Sequence, residues 1–408
     1  MTGPHRGETL LIPDRLWDGV ADSPVAGARV LVRDGRIASV GAQLTAAADA
    51  KVVELPGHTL LPGFIDCHVH VVDESLNTAS VAEQTLRALP PLRTLLLNGF
   101  TTVRDLGGSE QPLTTALRDA VADGVIAGPR MVVAPNIVSS RGSHGDKNPE
   151  LTDRHGLEVG VLGDGPAEVV RKVREQAKAG ADWIKFAGSG GFSSSTDDPN
   201  NVTYSQAEMD ALVATATDLH LPCAVHAFND ESVRRAVRAG VRSVEHASLV
   251  DRETLALLAR HRVTLVPTLH CIDYFLDRLD DEEFWDGKPS AVRDQFREHA
   301  DRLRETSGLL AGSGVTLAYG TDVGMFPYEE SWKEFPALTR RGVEPVRALR
   351  AATSTAADLL DRADLGRVVP GATADLVAVP GDPFEDIEVT GQVDFVMQAG
   401  LVATAHRA

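Results

Sequence analysis

Cysteine is scarce in this chain of 408 residues: Cys67, Cys223 and Cys271 are too few and too scattered for a disulfide framework or a thiolate zinc knot. They read as reduced, mostly buried residues, which places the chain in the cytoplasm. Positive charge is also short. Lys and Arg total 40 against 58 Asp and Glu, a net charge of −18 that argues against nucleic acid and anionic membrane surfaces as partners. No run approaches the ~18 to 20 uninterrupted apolar residues of a membrane span, and Met1 to Leu10 has no apolar core of signal-peptide length. Repeats and low-complexity tracts are lacking too. What is there is 43% hydrophobic and 24% charged, an ordinary soluble composition long enough for one large domain and a smaller one.

The patterning changes twice along the chain. Up to about Leu60 the apolar runs are short and β-like, with Asp34-Gly35 between Ala28–Arg33 and Arg36–Val40 as a two-residue hairpin turn. From Phe64 to Asp322 apolar runs alternate with amphipathic stretches. The expected strands are 64–67, 101–105, 130–135, 183–187, 223–227, 243–246, 264–268 and 316–319. Helices are expected over 81–98, 111–123, 166–179, 205–219, 231–239, 251–260 and 291–312. Strands separated by helices imply parallel neighbours, and eight such units make a (β/α)8 TIM barrel of ~250 residues. Ser205-Gln206-Ala207-Glu208 is a capping box, and Gly180 and Gly240 sit where helix C-caps belong. One more helix is expected over 344–360, with Pro345 in its first turn. From Gly366 the chain is β-like again. The expected organisation is a small discontinuous β-sandwich from residues 1–60 and 363–408 around a barrel spanning 61–362. Gly188 to Asn201, rich in Gly and Ser, reads as a mobile loop.

The chemistry is concentrated at the ends of the apolar runs. In Phe64-Ile65-Asp66-Cys67-His68-Val69-His70 two histidines are spaced i, i+2, so on a strand both imidazoles point the same way. Later runs end in Lys185, His226, His246 and Asp322. In a parallel barrel all of these fall on the C-terminal, catalytic rim. His68 and His70 suit one metal, His226 and His246 a second, and Asp322 can bind the first and touch its water. Lys185 is the odd member, because a protonated amine would be repelled by cations. Its alternatives are a buried salt bridge or, with its pKa depressed, a neutral amine that takes up carbon dioxide and bridges both metals as a carbamate. A hydroxide shared by the two metals would then attack a carbonyl, with Asp322 moving its proton to the leaving nitrogen.

His144, in Gly142-Ser143-His144-Gly145-Asp146, is placed to stabilise an oxyanion or bind a carboxylate, or else is an exposed loop histidine. Tyr204 is either a second substrate contact or a packing residue. His270 and Tyr274, just beyond the seventh expected strand, either line the pocket or are bystanders, and are read as bystanders. His5, His58, His155, His220, His261, His299 and His406 have no ligand-like setting.

With these residues in place the chain resembles the metal-dependent amidohydrolase superfamily, in the branch of imidazolonepropionase-like proteins, Xaa-Pro dipeptidases (prolidases) and ochratoxin-type amidases. The resemblance rests on Asp34-Gly35-Arg36-Ile37, Leu61 to His70, Gly99 to Asp105, Tyr319-Gly320-Thr321-Asp322 and Pro370 to Leu376. It implies a binuclear zinc centre at His68, His70, Lys185, His226, His246 and Asp322 with Lys185 carboxylated, and substrate contacts at His144 and Tyr204. It also makes homo-oligomers plausible. Two departures from the pattern, Arg141-Gly142-Ser143 and the apolar 323–332 segment with Met325, Phe326, Pro327 and Tyr328, hint at a bulky apolar or aromatic group on the substrate. The expected activity is hydrolysis of the amide bond of an N-acyl amino acid or dipeptide, with Xaa-Pro and ochratoxin-like aromatic amides as the leading classes. The alternatives are a cyclic-amide (imidazolone-type) hydrolase or deaminase, against which Lys185 argues, and an inactive binding module, against which the full ligand set argues.

Overall fold

The computed structural model describes residues 7–72, 79–108, 113–146, 161–193 and 197–403. His5, His155, His406 and the start of the expected 111–123 helix lie outside them. The N-terminal strands are β1 (Thr9–Leu16), β2 (Val25–Ala26), β3 (Arg29–Arg33), β4 (Arg36–Gly41) and β5 (Lys51–Pro62). Asp34 and Gly35 both have positive φ, as the β3–β4 turn requires. Three further strands come from the other end, β15 (Leu376–Pro380), β16 (Phe395–Gln398) and β17 (Leu401–Val402). β15 pairs antiparallel with β5, so the two ends do meet. Among the described residues they form one continuous eight-stranded sheet with a hydrophobic cluster of its own.

Between them the chain alternates as expected: β6 (Phe64–Val69), α1 (Val81–Leu97), β7 (Phe100–Asp105), α2 (Leu113–Ala122), β8 (Arg130–Val133), β9 (Ile137–Ser139), β10 (Val161–Leu162), α3 (Gly165–Lys178), β11 (Ile184–Ala187), α4 (Gln206–Asp218), β12 (Cys223–Ala227), α5 (Asp230–Ala239), β13 (Ser243–His246), α6 (Arg252–His261) and β14 (Thr264–Val266). β6, β7 and β8 form one parallel sheet, and β10-β9-β11-β12-β13-β14 a second. Every residue of β6, β7, β11, β12, β13 and β14 is buried, as parallel strands covered on both faces must be. Ser205 and Glu208 cap α4 reciprocally, and Gly240 ends α5 in the left-handed region.

Four expectations need correction. The 130–135 strand stops at Val133, since Pro135 has no amide to continue the ladder, and β9 then pairs with β11. The 316–319 segment is not a strand. It makes one bridge, Leu265 to Leu317, and is bonded on both sides, from Ala318 N to Leu265 O (3.0 Å) and from Cys67 N to Tyr319 O (2.8 Å). Past it, the left-handed conformations of Asp322 and Gly324 break any extended run. The expected 344–360 helix is two, α11 (Pro345–Ala351) and α12 (Ser354–Leu359), because Thr353 leaves the helical region with φ −135° and ψ −100°. The described part of 188–201 is tied down, with Gly190 N donating to Asn201 O (3.1 Å) and Gly191 N to the Asp197 carboxylate (2.9 Å).

The remaining helices are α7 (Leu269–Leu276), α8 (Glu282–Trp285) and α9 (Ser290–Gly308) after β14, and α10 (Glu334–Arg340) after a 3-10 turn at Tyr328–Lys333. No helix among the described residues is long and apolar enough to cross a membrane.

Candidate metal centre

His68 ends near the C-terminus of β6, with His70 just past it. Lys185, His226 and His246 lie on β11, β12 and β13, which are neighbours in register, Lys185 opposite Ala224 and Ala227 opposite His246. Asp322 is hydrogen-bonded through its amide to the His68 carbonyl (2.8 Å). Strand pairing therefore gathers residues far apart in sequence onto one rim. All six of the expected ligands line a single cavity of about 430 Å³. The His68 and His70 Nε2 atoms lie 3.3 and 3.2 Å from the same Asp322 oxygen. Ligand atoms of His68, His246 and Asp322 fall within 4.8 Å of one another.

Each histidine is held by a hydrogen bond on one ring nitrogen, leaving the other for the cavity. His68 Nδ1 donates to Glu245 (2.9 Å), His70 Nδ1 to the Gly107 carbonyl (2.5 Å) and His226 Nε2 to the Gly190 carbonyl (3.1 Å). His246 Nδ1 is 2.8 Å from the Thr268 hydroxyl. Glu245 is fixed in turn by Arg104 (2.9 Å) and Ser243 (2.6 Å), all three fully buried. Asp66 holds the turn before Asp322, accepting from the Thr321 hydroxyl at 2.7 Å. The backbone is strained where it presents these groups: His246, Ala247, Thr268 and Asp322 all have positive φ.

The electrostatics suit cation binding. Burial, reinforced by nearby positive groups, holds His68, His226 and His246 well below the ordinary imidazole range, so they are neutral with lone pairs to give. Burial alone would raise the Asp322 carboxyl, but His68, His70 and Lys185 hold it well below the usual carboxylate range. Lys185 is 1% exposed and its Nζ has no hydrogen-bond partner among the described residues. Burial brings it down to about 8, against the opposing pull of Glu245 and Asp322. Among the described residues no carboxylate lies within salt-bridge distance of it. An orphaned buried amine among neutral imidazoles and an ionised carboxylate is an arrangement that divalent cations would complete.

His144 also lines the cavity, stacked on His226 with ring centroids 4.0 Å apart and its Nδ1 3.3 Å from Asp197. Tyr204 does not line it. That side chain is 1% exposed, its hydroxyl donating to the Gly163 carbonyl at 3.1 Å, which makes it a packing residue in this structure. Tyr274, read as a bystander, does line the cavity, whereas His270 turns away to Glu330. The outer wall is aromatic, with Phe228 stacked on His246 (4.8 Å) and Phe192 on Phe296 (4.7 Å). Glu245, Arg104, Asp66, Thr268 and Cys271 are the residues that sequence reasoning missed. Asp66 and Glu245 sit within two positions of an expected ligand, which is the one signal that pointed to them.

The amidohydrolase family profile matches residues 59–402. Ochratoxinase from Aspergillus niger is 30% identical over 412 aligned positions, covering 93% of this chain and 82% of that protein. Among solved structures, a Xaa-Pro dipeptidase with methionine bound in its active site superposes with a TM-score of 0.88 at 31% identity, over 97% of this chain and 99% of that one. A prolidase complexed with N-methylphosphonate-L-proline gives a TM-score of 0.88 at 32% identity, again over 97% and 99%. The chain belongs to the amidohydrolase family and is a hydrolase of carbon–nitrogen amide bonds.

Proposed function

We propose that this enzyme hydrolyses the amide bond of an N-acyl amino acid or dipeptide carrying a bulky aromatic or apolar group, using two divalent metals, zinc being the expected pair. His68, His70, His226, His246, Asp322 and a carboxylated Lys185 would hold them. The observation that carries this reading is the partnerless Lys185 amine, buried among neutral histidines beside the ionised Asp322. Bound there, the metals would polarise the amide carbonyl and acidify a water molecule.

The chain's own residues divide the remaining work. Asp322, ionised and 15% exposed at the cavity, is placed to take a proton from the attacking water and return it to the leaving nitrogen. His144, oriented by Asp197, is placed to meet the oxyanion or a substrate carboxylate. Phe192, Phe228, Tyr274, Phe284 and Phe296 favour a large apolar substituent. Ochratoxinase and the Xaa-Pro dipeptidase, as relatives, support an aromatic amide or a dipeptide as the substrate class. Hydrogen bonds on both sides of residues 316–323 support a closed (β/α)8 barrel spanning 61–362, with 1–60 and 363–408 as the companion domain. Location in the cytoplasm and assembly into homo-oligomers belong to the same proposal.

The test is a panel of N-acyl phenylalanines and Xaa-Pro dipeptides, assayed with wild-type and D322N protein before and after chelation. Turnover that chelator abolishes, zinc restores and D322N lowers by about 100-fold or more is expected. A zinc-replete wild-type protein that cleaves no member of the panel would overturn the substrate class.

A further inference from the structure

Thr268 is the N-cap of α7, a position where a threonine hydroxyl ordinarily accepts from an amide of the first turn. Here it caps nothing: its Oγ1 is engaged with His246 Nδ1 at 2.8 Å. Its backbone is left-handed, φ 49°, an outlier for a β-branched residue. The free amides of the first turn are served from elsewhere. Leu269 N donates to one oxygen of Glu334 at 2.9 Å and His270 N to the other at 2.6 Å. Glu334 is fully buried, begins α10 and makes no ion pair among the described residues. A buried carboxylate without a cation is costly unless such bonds satisfy it.

We infer that Glu334 is a positioning residue for the metal centre: by capping α7 in place of Thr268, it frees the threonine hydroxyl to hold His246. The helix so fixed also sets Cys271 3.7 Å from Asp322, and it supplies Ile272, Tyr274 and Phe275 to the cavity wall. Without Glu334 the α7 amides would turn to the hydroxyl of the N-cap residue, Thr268, and a hydroxyl drawn to them is withdrawn from His246. The imidazole would then lose the bond that fixes its orientation, which in metal sites typically costs 10- to 100-fold in affinity. This inference rests on the metal reading above.

The experiment is a cobalt titration of chelator-stripped full-length protein, comparing wild type, E334Q, T268V, T268S and the E334Q/T268V double variant. The carboxamide of E334Q would keep one acceptor oxygen and turn an NH2 toward the second backbone amide. E334Q and T268V should each bind cobalt about tenfold or more weakly, T268S should bind as wild type, and the double variant should be no worse than T268V alone. Hydrogen exchange at Leu269 and His270 in T268V supplies a readout that does not need E334Q to fold: both amides should stay protected, because Glu334 caps them. Wild-type cobalt affinity in E334Q, additive losses in the double variant, or loss of protection in T268V would each overturn the inference. A wild-type protein that binds no cobalt would instead overturn the metal reading beneath it.

Discussion

Glu245 and His68 are 177 residues apart in sequence and 2.9 Å apart in space, both completely buried, the carboxylate accepting from Nδ1. That contact leaves the Nε2 lone pair facing Asp322 and the cavity. Arg104 occupies the other carboxylate oxygen, so the side chain has no freedom to rotate away. E245Q must place its NH2 against either His68 Nδ1, imposing the wrong tautomer, or Arg104, leaving a buried guanidinium short of a partner. Breaking a buried pair of this kind costs roughly 3 to 5 kcal/mol. E245Q should therefore unfold earlier in urea and bind metal 10- to 100-fold more weakly. Unchanged values on both counts would remove Glu245 from the metal-orienting chain.

Lys185 must be neutral to add carbon dioxide, and burial brings it down to about 8. Below about 8 the neutral fraction falls about tenfold per pH unit, and above it the fraction levels off. Reactivation of stripped protein at fixed dissolved carbon dioxide and zinc should accelerate as pH rises toward that value and then flatten. K185M should not reactivate at any pH. A pH-independent rate, or reactivation of K185M, would speak against the carbamate.

Gly191 leaves the space in which two rings stack. A Cβ there would lie 2.3 Å from His144 Nδ1 and 3.1 Å from His226 Nε2, so G191A forces both imidazoles to move. Displacements near 1 Å at a reacting centre cost about 100-fold. Circular dichroism of G191A should match wild type while kcat/KM drops by about that factor. Wild-type activity in G191A would mean that the stacked pair can shift without cost to the reaction.

Phe284 is half-buried on the outer cavity wall, 5.5 Å from Tyr274 and beneath Lys288. Truncation there removes aromatic surface from the cavity wall as well as its packing on Tyr274 and Phe275. F284A should raise KM for an aromatic acyl amide about tenfold, in line with ~1.5 kcal/mol of lost burial, and leave an N-acetyl substrate unchanged. Equal effects on both substrates would place the aromatic group elsewhere.

The six expected ligands that line the cavity are legible in the sequence because strand ends in a parallel sheet share one rim, and because His68 and His70 are spaced at the strand period. Their supports are not. Arg104, Thr268 and Glu245 gain their roles from partners on other strands, and a single strand's pattern does not say which neighbour it meets. Tyr204 escapes a sequence reading for the same reason: its ring packs on Phe186 and its hydroxyl is used by Gly163. The strand expected at 316–319 is reduced to a single bridge at Leu317, and apolar content does not reveal the left-handed turn that follows it at Asp322. The loop of Gly and Ser around 190 reads as mobile from composition, although its glycines let the backbone pass close to His144 and Asp198.

Native mass spectrometry of holoenzyme purified without chelator bears most directly on the centre itself. The expected mass is that of the chain plus two divalent metals and one carbon dioxide, the last lost together with the second metal in K185M. A fully active protein carrying a single metal and an unmodified Lys185 would contradict the binuclear account.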